Sequence, residues 1–196
     1  MPILPSTILS LISGDNLQAY SNEIYLFGVS RGSGESIWDI KKRVGLVSSE
    51  FQLLYRESIQ VIKVVLSGFF DTIGYYNQSS KKQRIEASKC LELLGINDLA
   101  KHNFTRLSFG QQRLILIARA MVKSPSLLIL DEPCQGLDFY NRNLILEKID
   151  KIAKTSNTQI LYVTHSPTDK LQCIDHELRF ELTKEESYKT IIEKFI

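Results

Sequence analysis

Two adjacent carboxylates, Asp131 and Glu132, close the apolar run Leu127-Leu-Ile-Leu130, and a histidine, His165, closes a second run, Ile160-Leu-Tyr-Val-Thr164. Each run suits a strand of a parallel sheet buried on both faces, and open α/β sheets place ligands at the C-terminal ends of such strands. A carboxylate there can hold a hard cation, and an imidazole there can donate a hydrogen bond to an anion. Ser108 and Gly110 stand where a helical pattern begins. Unpaired backbone N–H groups and the helix dipole favour an anion at that end, and the glycine lets it approach closely. Taken singly, each feature also has a plain structural reading: Ser108 and Asp138 as helix N-caps, Asp131-Glu132 as a strand end or cap. His102 and His176 lack such surroundings and are read as structural.

The secondary structure around these residues can be read from punctuation and periodicity. Ser6 to Ser13 reads as a short helix stopped by Gly14, and Glu23 to Phe27 as a strand. Arg31-Gly-Ser-Gly-Glu35 has neither G-x-G-x-x-G spacing nor a following lysine, so it reads as a turn. Val44 to Ser48 is a brief strand, and Glu57 to Phe70 and Ser80 to Leu94 are helices, the second closed by Gly95. A helix from Gln111 to Lys123 ends before Pro125 and leads into a strand ending at Asp131. An amphipathic helix over Asp138 to Lys154 then carries the chain to a strand over Gln159 to Thr164, which predicts a right-handed parallel crossover. Arg179 to Leu182 reads as a last strand and Glu185 to Phe195 as an amphipathic terminal helix.

With 196 residues, 43% hydrophobic and 23% charged, the chain has the length and composition of a globular domain. A formal net charge of +2 and short basic clusters, Lys41-Lys42-Arg43 and Lys81-Lys82, argue against a dedicated nucleic-acid surface. Cys90, Cys134 and Cys173 are widely spaced and form no C-x-x-C pair, so neither a disulfide framework nor a zinc site is expected, and a reducing cytosol fits. No basic residue precedes the apolar stretch near the start, so no signal peptide is expected. No run approaches the roughly eighteen apolar residues of a membrane span, and a membrane role would work through a partner.

Taken in order, Leu107-Ser-Phe-Gly-Gln-Gln-Arg113, Leu127-Leu-Ile-Leu-Asp-Glu-Pro133, Gly136-Leu-Asp138 and His165 resemble the signature motif, Walker B strand, D-loop and switch histidine of the ABC-type ATPase family. The resemblance covers nearly the whole chain. It implies an α/β fold, a three-layer P-loop NTPase-like ABC nucleotide-binding domain, in a single incomplete domain over 1–196 with a helical subdomain over about 56–123. It implies ATP and Mg²⁺ as cofactors, with Asp131 as a Mg²⁺ ligand and Glu132 and His165 as the catalytic residues for the attacking water and the γ-phosphate. Ser108, Gly110, Gln111 and Asp138 are implied contacts to ATP held by an opposing cassette. The implied partners are a second ABC cassette, as homodimer, heterodimer or tandem half, and a membrane permease. The implied location is cytoplasmic, peripheral on the inner face of the membrane.

The pattern breaks at the P-loop: G-x-x-x-x-G-K-S/T is absent, and no glycine is followed by lysine. Ser6-Thr-Ile-Leu-Ser-Leu-Ile-Ser-Gly-Asp15 resembles the family's segment immediately after that lysine. Ser6 is then the implied Mg²⁺-ligating hydroxyl, and Pro5 takes the lysine's place with neither a positive charge nor an N–H. The strand before the loop and the family's adenine-stacking aromatic are also missing. Ser49, with Glu50 next and Gln52 further on, stands where the family has its Q-loop glutamine. That departure, together with Tyr20-Ser-Asn22, Leu26-Phe-Gly28, Gly32-Ser-Gly-Glu35, Trp38-Asp-Ile-Lys-Lys42 and Cys173-Ile174, resembles a molybdate-transport-associated branch whose members carry two cassettes in tandem. The chain reads as the second of these, begun late and N-terminally truncated. The expected function is ATP binding and hydrolysis for an ABC system with a molybdate link. The alternatives are a non-hydrolytic partner that supplies its signature helix in trans and an inactive remnant of a disrupted gene.

Overall fold

A computed structural model describes residues 5–14, 16, 23–34, 36–182 and 188–195, with the backbone alone at Pro5, Ser6, Leu182 and Tyr188. The chain divides into two compact units, Ser36–Lys170 and a smaller one of Met1–Glu35 with Leu171–Ile196.

The larger unit is built on a three-stranded parallel sheet of β3 (Val44–Ser48), β4 (Leu127–Asp131) and β5 (Gln159–Val163), in that order. Val47, Leu128, Ile129 and Leu130 are fully buried, which is why the central strand reads as an unbroken apolar run. Ser48, Asp131 and Val163 lie level with one another at the strands' C-terminal ends. Between β4 and β5 runs helix α7 (Phe139–Thr155), begun by the N-cap Asp138 and burying Ile145, Leu146, Ile149 and Ile152 along one face. Helix α6 (Phe109–Met121) leads into β4 and is buried over most of its length. It lies close on β3: a Cβ added at Gly45 would sit 2.7 Å from the Ala120 carbonyl oxygen.

Two short helices not expected from the sequence flank β3. These are α2 (Ile37–Arg43), with a Ser36–Asp39 capping box, and α3 (Ser49–Leu54), capped by Ser48. Both are too short for a hydrophobic period to show. The helical region after them holds α4 (Val61–Ser67), α5 (Lys81–Leu94) closed by left-handed Gly95, and 3-10 turns at Asn97–Lys101 and Phe104–Arg106. Helix α4 is shorter than the expected Glu57 to Phe70 because Gln60 is held in an antiparallel bridge with Asn103. Helix α6 begins two residues before the expected Gln111 because Ser108 is its cap.

In the smaller unit, α1 (Pro5–Ser13) stops at Gly14, which has φ 82. Strands β1 (Tyr25–Leu26) and β2 (Val29–Ser30) pair antiparallel through Phe27 and Gly28, whose positive φ values of 54 and 80 suit a tight hairpin turn. Strand β6 (His176–Leu182) contains the expected final strand, but the expected helix over Glu185 to Phe195 is wrong. Residues Tyr188–Lys194 form strand β7, antiparallel to β6. Its Tyr-Lys-Thr-Ile-Ile run is rich in β-formers, and pairing along the whole of β6, Leu178 opposite Ile192, outweighs its weak helical period. Tyr20-Ser-Asn22 and Glu35 fall outside the described residues. No described helix is long and apolar enough to cross a membrane.

Candidate functional site

Because β4 and β5 run parallel and level, the residues that leave them meet at one edge of the sheet. Asp131 ends β4, and Glu132 comes next with φ 49, an uncommon conformation for a residue with a Cβ. The Glu132 N–H donates to the Val163 carbonyl at 3.0 Å. Its own carbonyl accepts from the Ser49 hydroxyl at 3.0 Å and from the Arg113 guanidinium at 3.3 Å. The Glu132 carboxylate turns toward β5, where it accepts the His165 backbone N–H at 2.8 Å and lies 3.8 Å from His165 Nε2. The imidazole is 83% exposed, free to meet an incoming group. Asp131, Glu132 and His165, separated in sequence, are thus brought together.

Burial pushes the Asp131 carboxyl above its ordinary range; His165 pulls it back down and the charge of Glu50 adds to the rise. A cation beside Asp131 would relieve that unfavourable charge. Among the described residues, no group of three or more His, Cys, Asp and Glu forms a ready-made metal cage. Magnesium keeps most of its waters and phosphate oxygens and takes only one or two carboxylates, so a lone Asp131 fits it. The side chain of Ser6, the other expected ligand, lies outside those described.

At the start of α6, Ser108 Oγ accepts the Gln111 N–H at 3.2 Å and Gln111 Oε1 accepts the Ser108 N–H at 3.0 Å, a reciprocal capping box. A Cβ on Gly110 would sit 2.6 Å from Asn141 Oδ1, so the helix end rests directly on the first turn of α7. There the Asn141 N–H and side-chain amide donate to the Asp138 carboxylate at 2.9 and 2.6 Å, which holds its pKa below the ordinary value. Ser108, Gly110, Gln111 and Asp138 therefore belong to one assembly, and both caps anticipated from the sequence are formed.

Three residues to which the sequence assigned no role join these parts. Arg113 is fully buried, with Nε donating to Gln52 Oε1 at 2.5 Å and its terminal nitrogens to Ser49 Oγ at 3.2 and 3.3 Å. Burial brings its pKa down to about 10. Gln52 Nε2 donates to the Phe109 carbonyl at 3.0 Å, so this glutamine is committed to α6. On the other side, Asp169 accepts Tyr162 Oη and Thr164 Oγ1, each at 3.0 Å, and pairs with Arg142 at 3.2 Å, fastening the loop that carries His165 to α7.

Residues 5–135 match the family model described as ABC transporter. The ABC transporter ATP-binding protein ModF of Escherichia coli (strain K12) is 52% identical over 176 residues, covering 89% of this chain and 36% of ModF. The molybdate import ATP-binding protein MolC of Haemophilus influenzae is 32% identical over 142 residues, 72% of this chain and 55% of MolC. The chain thus spans from 30% of the length of such curated relatives, as in the molybdenum import ATP-binding protein ModC of Pseudomonas aeruginosa, to 66%, as in YmeB of Lactococcus lactis. Among solved structures, CbiO1 of Clostridium perfringens, part of the ABC transporter complex cbiONQ, superposes with a TM-score of 0.77 at 23% identity, covering 96% of this chain and 72% of CbiO1. The dimeric ATP-binding cassette MJ0796 bound to ADP and Pi gives 0.70 at 22% identity, covering 96% and 79%. At those identities the likeness is one of fold. With ordered motifs, a parallel sheet that carries them and a matching family model, the chain belongs to the ABC transporter family as an ATP-binding cassette.

Proposed function

We propose that this cassette binds and hydrolyses ATP for an ABC system linked to molybdate uptake. The observation that carries the reading is the meeting of Asp131, Glu132 and His165 at adjacent strand ends, with the Glu132 carboxylate 2.8 Å from the His165 N–H. Asp131 would hold Mg²⁺, which when bound offsets phosphate charge; Ser6 stands as its second ligand by resemblance alone. Glu132 orients or deprotonates the attacking water, and the exposed His165 ring donates to the γ-phosphate. Residues 1–196 contain no G-x-x-x-x-G-K-S/T, so a P-loop outside them must hold the triphosphate in line. Ser108, Gly110, Gln111 and Asp138 serve ATP held by an opposing cassette, which makes a second cassette the partner and a permease the membrane anchor, on the cytoplasmic side. The molybdate link rests on similarity to ModF and on MolC, whose name states molybdate import.

A second reading, a non-hydrolytic partner that lends only its signature helix, is favoured by Pro5 at the position of the family's P-loop lysine. Mixing the chain with an intact, ATP-loaded cassette tests both. Association is expected under either. With an upstream strand and P-loop joined to the chain, so that it holds its own ATP, the hydrolytic reading predicts that Glu132→Gln lowers the turnover of the mixture; if only substitutions at Ser108 or Gly110 lower it, the non-hydrolytic reading holds. A chain that stays strictly monomeric with ATP, Mg²⁺ and an intact cassette present counts against both.

A further inference from the structure

We propose that Arg113 and Ser49 are positioning residues for Glu132, which hold its backbone in the left-handed region and thereby tie its carboxylate to the signature helix α6. The proposal rests on the catalytic reading of Glu132. A left-handed backbone at a residue with a Cβ persists only where its surroundings over-determine it. Here they do. Glu132, at φ 49, is fixed through its N–H to Val163, through its carbonyl by Ser49 and Arg113, and through its carboxylate on the His165 N–H.

Both donors to the Glu132 carbonyl come from outside β4, Ser49 from the start of α3 and Arg113 from α6. Arg113 is fully buried, and its hydrogen-bond acceptors are neutral: Gln52 Oε1, Ser49 Oγ and the Glu132 carbonyl. A buried guanidinium without a carboxylate must rely on the geometry of such bonds, so it moves closely with its helix. A shift of α6 at its Ser108–Gly110 end therefore moves Arg113, then the Glu132 peptide, then the carboxylate relative to His165. One side chain links the helix end that serves an opposing ATP to the carboxylate that activates water in its own chain.

The His165 amide reports the arrangement by NMR on the whole ¹⁵N-labelled chain, without nucleotide. In Ser49→Ala and Arg113→Lys its resonance should move and its hydrogen exchange quicken by about tenfold, as local protection is lost, while Ile129 and Leu130 in β4 keep theirs. Ser49→Thr, which retains the hydroxyl, should restore the wild-type signal. An unchanged His165 amide in both disruptive variants, or no recovery with threonine, overturns the proposal. Should Arg113→Lys fail to fold, the Ser49 pair decides alone. ATP turnover plays no part in this readout, so a negative result removes the positioning role and leaves the hydrolytic reading to its own test.

Discussion

Replacing Ser108 separates its structural role from its proposed one. The exposed hydroxyl caps α6 through the Gln111 N–H at 3.2 Å, and Ser108→Ala, by removing that acceptor, should lower folding stability by about 1 kcal/mol. Ser108→Asp keeps an N-cap acceptor and puts a negative charge at the positive end of the helix dipole, a favourable placement of about 0.3–1 kcal/mol. Its stability should equal or exceed that of the wild type. The proposed phosphate contact responds in the opposite sense. A hydrogen bond to a charged group contributes about 1.5–3 kcal/mol, so Ser108→Ala should weaken association with an ATP-loaded cassette roughly 10- to 150-fold. Ser108→Asp adds like-charge repulsion and should weaken it further. Denaturant unfolding gives the first quantity and sedimentation with ATP the second. If Ser108→Asp binds the ATP-loaded cassette as tightly as the wild type, Ser108 is a cap and nothing more.

Burial raises the Asp131 pKa above its ordinary 3.8, so the folded chain holds that proton more tightly than the unfolded one, and ionised Asp131 lowers stability as pH rises through the folded value. Asp131→Asn should therefore raise Tm at pH 7 without Mg²⁺, with the gain vanishing below about pH 3.8; thermal unfolding across pH checks this, and no gain at neutral pH contradicts it. Gly45→Ala would press a Cβ to 2.7 Å from the Ala120 carbonyl and should cost about 1–3 kcal/mol in denaturant unfolding, because the obstacle is backbone.

The sequence makes legible whatever is encoded locally. Strands β3 and β4 show as apolar runs because they are mostly buried, whereas β5 shows as one although its residues are at most half-buried; α5 shows through its closing Gly95, and α6 and α7 through the caps Ser108 and Asp138. Asp131, Glu132 and His165 show because they interrupt apolar runs at their ends. Arg113 does not: its partner Gln52 lies 61 positions away, and nothing near either residue signals the contact. The Asp169–Arg142 pair is hidden for the same reason. Strand β7 is obscured in the sequence because Ile191, Ile192 and Phe195 fit a helical face as well as a strand, and only pairing with β6 decides between them.

If Asp131, Glu132 and His165 form a hydrolytic centre, it needs only a P-loop to act. The decisive experiment joins an upstream strand and a glycine-rich loop to the chain, replaces Pro5 by Lys, and compares ATP turnover with and without Glu132→Gln. The loop-bearing protein should hydrolyse ATP where residues 1–196 alone hydrolyse it negligibly, and its Glu132→Gln variant should bind ATP without turning it over. Equal turnover by the Glu132→Gln variant would show that the hydrolytic centre lies elsewhere, and equal turnover by residues 1–196 without the loop would show that the P-loop is not what the chain lacks.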